Sequence, residues 1–214
     1  MANNHLTENN PHGNTHGLSL EECLKPTELC DSMQTEIRKK MQELTFSCTT
    51  QLEKAKAIYR AVRDMPYSFQ PFAVHASETL TKGTGHCYNK ANLQVALLRA
   101  AGVPAAYALV GISLTEFKPI SGENEVIHAY CIAYIDGKWI GMDATEDPLL
   151  ARAFGHGVYE FTGKFAIEIP QRRRKTGITY YADISVLLRS KPEHLQEEMY
   201  GWNERLDNVR KGIL

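Results

Sequence analysis

Pro104 divides this chain by the period of its apolar residues. Upstream they recur every three or four positions; downstream they alternate or run together. "TTQLEKAKAIYRAVRDM" carries Leu52, Ala55, Ile58, Tyr59 and Val62 on one helical stripe, and Pro66 stops it. "DSMQTEIRKKMQELT" aligns Met33, Ile37, Met41 and Leu44 on another, with Asp31 or Ser32 as N-cap. A third, amphipathic helix opens at Cys87, with Ala91, Val95 and Leu98 on one side and Gly102 as C′ residue. The segment before it, Pro66 to His86, reads as a loop of about 20 residues, longer than an ordinary connection. After Pro104, "PAAYALVGISL" reads as a buried strand and "EVIHAYCIAYIDGKWIGMDAT" as a hairpin turning on Asp136-Gly137. "VYEFTGKFAIEI" and "ITYYADISVLL" read as further strands, and the last 24 residues as an amphipathic helix. Helices first and antiparallel strands after predict an α+β domain.

Residues 1–17 hold almost no large apolar side chains and are expected to form a flexible tail, with residues 18–214 as one domain. A net charge of −1 gives no support for a nucleic-acid or membrane-surface partner. No apolar run is long enough to span a bilayer and no signal-peptide pattern opens the chain, so a cytoplasmic protein is expected. The 5 cysteines are odd in number and irregularly spaced, without C-x-x-C or H-E-x-x-H, so free thiols are expected, and neither metal nor cofactor.

The hairpin brings two chemical groups together. With Ile135 paired to Lys138, His128 falls opposite Thr145, and Asp143 lies two residues from that partner on the same face. Cys87 follows the turn formed by Gly83 and Gly85 and opens a helix, where the macrodipole and free N–H groups favour a thiolate. Cys, His and Asp suit a nucleophile, a general base that becomes the acid, and an orienting carboxylate. The Cys87 amide is available to an oxyanion. His86 adjoins Cys87 but points elsewhere from a helix start, so it is read as a loop residue or substrate contact.

Three blocks, "KAKAIYRAVRDMPYSF", "GTGHCYNKANLQVALLRAAGVPAAY" and "HAYCIAYIDGKWIGMDAT", resemble those of the transglutaminase-like superfamily, from about Gln51 to Thr145. "LKPTELCD" and "YEFTGK" resemble a subgroup of stand-alone bacterial members. The resemblance implies a papain-like fold, its nucleophile helix packed on an antiparallel sheet. It also implies that Cys87 is the nucleophile, His128 the base and Asp143 the orienting acid. The tryptophan that assists the oxyanion in animal members has no counterpart upstream of Cys87; Tyr59 or Tyr67 would have to supply a hydroxyl. No acidic cluster resembles a calcium loop, so calcium dependence is not carried over.

The function expected is acyl transfer through a thioester on Cys87, cleaving or exchanging an amide of a peptide or protein. One alternative is condensation of carrier-bound acyl thioesters with amines; another is a catalytically silent peptide-binding module. Water and an amine would use the same triad, so the residues leave the acceptor open, and the oligomeric state as well. Cys131, opposite in parity to His128, is expected to be packed, Trp139 to be a core or hairpin aromatic, and His75 and His156 to be surface or loop histidines. The basic run Arg172 to Lys175 reads as a solvated loop.

Overall fold

A computed structural model of the chain describes residues 17–113, 125–155, 157–163 and 176–213. Residues 1–16 of the expected tail, His156 and the basic run Arg172 to Lys175 lie outside the described residues. The elements, in chain order, are a short 3-10 turn Glu22–Leu24, helices α1 Thr35–Thr45, α2 Gln51–Arg63, α3 Ala76–Lys82 and α4 Cys87–Ala100, and strands β1 Ala105–Ser113, β2 Glu125–Ile135 and β3 Lys138–Met142. Helix α5 Pro148–Ala153, strand β4 Thr179–Tyr181, helix α6 Ser185–Arg189 and helix α7 Glu193–Arg210 follow. The strands form an antiparallel sheet in the order β3-β2-β1-β4. This is the expected α+β, papain-like arrangement, with α4 packed against the sheet.

The hairpin has the register counted from Asp136-Gly137: Ile135 pairs with Lys138 and Cys131 with Met142. Both turn residues take positive φ, 50° and 84°. The ladder ends at Met142, so Thr145 is not a strand partner of His128; the chain leaves the sheet before Asp143. One side of the sheet faces the main core, with Tyr107, Cys131, Ala133 and Ile140 against α4; the other carries Ala106, Val110, Ile132 and Trp139. Cys131 and Trp139 are thus packed residues, as expected.

Helix α4 is not amphipathic in place. From Tyr88 to Arg99 every side chain is buried, because α1, α2, α3 and two strands surround it. Its polar residues are buried because loop carbonyls need them. The Asn92 amide donates to the carbonyls of Leu29 and Val74 while its oxygen accepts the Tyr107 hydroxyl at 2.7 Å. Arg99 donates to the carbonyls of Lys25, Ala105 and Ala182. Buried polar groups satisfied in this way fix the helix in one setting.

Other expectations need correction. Helix α1 starts at Thr35, because Asp31 bonds the backbone and hydroxyl of Ser77 instead of capping it, and Ser32 is buried away from the cap. Met33, outside the helix, is exposed. The long loop contains α3, whose 7 residues are closed by Glu78 bonding back to the His75 N–H. In "ITYYADISVLL" only Thr179–Tyr181 is strand; Asp183 then bonds the N–H and hydroxyl of Ser185 and starts α6. Residues 158–163 of "VYEFTGKFAIEI" form no strand, and the remainder lies outside the described residues.

Candidate active site

Two glycines shape the approach to Cys87 for different reasons. Gly83 ends α3 with φ +68°, a left-handed conformation that side chains resist. Gly85 is needed for space, since a Cβ there would sit 2.7 Å from that of Asn89. His86 caps α4: its Nδ1 accepts the Tyr88 N–H at 3.2 Å, and Asn89 bonds back to the His86 N–H. The ring is buried among Phe69, Phe72 and Tyr88, and burial pulls its pKa down to about 3. His86 is therefore a neutral cap, not the loop residue or substrate contact expected. Cys87 is the first residue of the helix and remains partly open.

His128 and Asp143 meet as expected, with Nε2 and Oδ2 2.5 Å apart. The second Asp143 oxygen accepts the Thr145 N–H at 3.0 Å, so a tight turn after β3 replaces the expected ladder pairing. Cys87 is near enough to act on the His128 ring as a hydrogen-bond partner and as a charge. Burial opposes the imidazolium, but Asp143 and Cys87 outweigh it and raise His128 to about 10. Burial likewise opposes the Asp143 carboxylate; His128 and Thr145 prevail and hold it below its ordinary value. The three candidate residues thus form one contiguous group.

The two tyrosines separate. The Tyr59 hydroxyl donates to the Tyr159 carbonyl at 3.3 Å. Tyr67 is buried and its phenol lies against Cys87, receiving the Cys87 backbone N–H. A parallel bridge between Tyr67 and Gly85 fixes that approach.

Sequence reasoning missed Lys90, one turn beyond Cys87 and fully buried. Its ammonium donates to the carbonyls of Arg63 at 3.1 Å and of Met65 and Thr145 at 2.8 Å. It ties the nucleophile helix to the end of α2 and to the Asp143 turn. Burial pulls its pKa down to about 7; three carbonyls nonetheless require three N–H donors, which only the charged form has. A lysine one turn after the helix-start cysteine was the available signal. Asp147, also missed, receives the Tyr67 N–H at 2.7 Å and Arg210 at 3.0 Å while its other oxygen caps α5. Among the described residues, no group of three or more His, Cys, Asp and Glu is arranged to hold a metal.

Comparisons with known proteins bear on the family and the fold. A family model described as the transglutaminase-like superfamily matches residues 38–144, half of the chain, and the chain belongs to that superfamily. A candidate cysteine protease from Cytophaga hutchinsonii has a similar fold, with a TM-score of 0.55 at 22% identity over 81% of this chain and 51% of that one. The chain therefore spans about half the length of that protein. A candidate protease from Parabacteroides distasonis gives a TM-score of 0.41 at 19% identity, covering 59% of this chain and 25% of that one. No curated protein matches the chain. No helix among the described residues is long and apolar enough to cross a membrane.

Proposed function

We propose that this chain is a cysteine acyl-transfer enzyme that acts on an amide through a thioester on Cys87. The observation that carries the reading is His128, bonded to Asp143 at Nε2 and close enough to Cys87 for its side chain to act on the ring. In the first step the Cys87 sulfur attacks the amide carbonyl carbon. The C–N bond breaks, and the imidazolium gives its proton to the departing amine. Water or a second amine then attacks the thioester, His128 takes the incoming proton, and the thiolate leaves. The Cys87 amide and the Tyr67 hydroxyl would face the oxyanion, so the Cys87 N–H turns from the phenol to the substrate as charge develops.

Peptides or proteins are the substrate class proposed, because the similar fold from Cytophaga hutchinsonii is that of a candidate cysteine protease. The test is selective alkylation followed by acyl trapping. Burial pushes Cys23 up to about 11 and raises Cys30 and Cys131 as well, so those thiols should be slow. Iodoacetamide at neutral pH should modify Cys87 ahead of them, and intact mass should reveal an acyl adduct with glutamine peptides that Cys87→Ala abolishes. Turnover retained by Cys87→Ala would overturn the reading.

A further inference from the structure

We propose that Lys191, held over two aromatic rings at the start of the Cys87 helix, anchors an anionic group of the substrate, a carboxylate close to the scissile amide. This rests on the acyl-transfer reading above. Lys191 lies in the turn between α6 and α7 and is partly buried. Its Nζ stands 5.5 Å from the centroid of Phe72 and 5.4 Å from that of Tyr88, the residue that follows Cys87. Two ring faces hold a cation without neutralising it.

Several cations of the described residues have carboxylate partners, Lys25 with Glu21, Lys40 with Glu43, Arg63 with Glu160, Arg189 with Glu28 and Arg210 with Asp147, and the buried Lys90 and Arg99 have carbonyls. Among the described residues no carboxylate pairs with Lys191. Burial draws its pKa down, and Cys87 is the group whose charge acts the other way. The Tyr88 ring against which it lies carries a buried hydroxyl with no hydrogen-bond partner among the described residues. An ammonium with no carboxylate partner among the described residues is complementary to a carboxylate and to little that is neutral. Cys87 itself is served by His128, which leaves Lys191 for a second negative charge.

Two alkylating agents of nearly equal size test this without a known substrate. Iodoacetate carries a carboxylate and iodoacetamide does not. The ratio of their rates at Cys87, read by peptide mass, should favour iodoacetate in the parent protein relative to Lys191→Met. The expected fall in that ratio is roughly three- to tenfold, as for a partly screened charge pair. Lys191→Arg should keep the ratio and Lys191→Glu lower it further, and near-ultraviolet circular dichroism of each variant establishes that it is folded. An equal ratio in parent and Lys191→Met overturns the anchor and leaves the acyl-transfer reading standing. So does a parallel fall of both rates, which would make Lys191 a support for the thiolate. A Cys87 that reacts with neither reagent while other thiols do overturns both.

Discussion

Asparagine at position 143 would keep the shape of the side chain and remove its charge. Asp143→Asn should lower turnover by on the order of 10²–10⁴ with little change in substrate binding, because the contact strengthens as the imidazolium forms. Steady-state kinetics on any substrate that acylates Cys87 would check it, and near-normal turnover would reduce the group to a Cys–His dyad. Tyr67→Phe should cost on the order of 10²–10³ in turnover, the worth of one oxyanion donor; an unchanged value removes Tyr67 from that role. The charges also set a pH window. His128 is raised from 6.5 to about 10, so its contribution to stability is complete below 6.5 and is lost as pH rises towards 10. Asp143 is lowered, so its contribution is present above the ordinary carboxylate range and is lost as pH falls through its lowered value. Urea melts of the parent and His128→Gln should differ most near pH 6 and converge near pH 10. A gap that stays constant between those values would mean that the pair is not ionic. The meeting of His128 and Asp143 was legible because a two-residue turn sets strand register, and the place of Cys87 at a helix start because a glycine turn precedes it.

Helix α4 is where legibility failed in one respect and held in another. Its limits follow from the Gly83–Gly85 turn and from Gly102, yet its burial on every side follows from neighbours that no local period reveals. Asn92 and Arg99 look like solvent-facing residues until the carbonyls of Leu29 and Ala182 are brought beside them. Helix α3 escaped notice because it has only 7 residues, three of them β-branched or hydroxylated, and is held by its docking on α4. The second apolar run after β3 was misread because Asp183 and Ser185 end the strand within a few residues. Lys90 makes the element-scale prediction. Lys90→Met would leave three buried carbonyls without a donor, so a loss of about 3 kcal/mol or more is expected. Because one of those carbonyls belongs to Thr145, turnover at a temperature where the variant is folded should also fall, roughly tenfold. Urea denaturation alongside kinetics would check both; a stable variant with full activity would show that Lys90 merely fills space.

At the scale of the molecule, α7 is bound to the segment that lines the site. Asn203 exchanges hydrogen bonds with both backbone groups of Phe69, Trp202 meets the Phe69 ring edge-on at 5.1 Å, and Arg210 donates to the Tyr67 carbonyl and to Asp147. Arg210→Ala should lower stability by roughly 1–3 kcal/mol, the penalty for a buried acceptor left without its charged partner. Its activity should fall further than that loss of folded protein explains, because Tyr67 is no longer held against Cys87. Equal losses in both would make α7 a simple prop. The same brace gives synthesis an order. A chain emerging from the ribosome holds Cys87, His128 and Asp143 well before it holds Asn203 and Arg210, so the thiol should stay idle while its neighbours are still being made. Nascent chains arrested ahead of α7 should therefore label at Cys87 no faster than at Cys48, and those released after Arg210 should label there first.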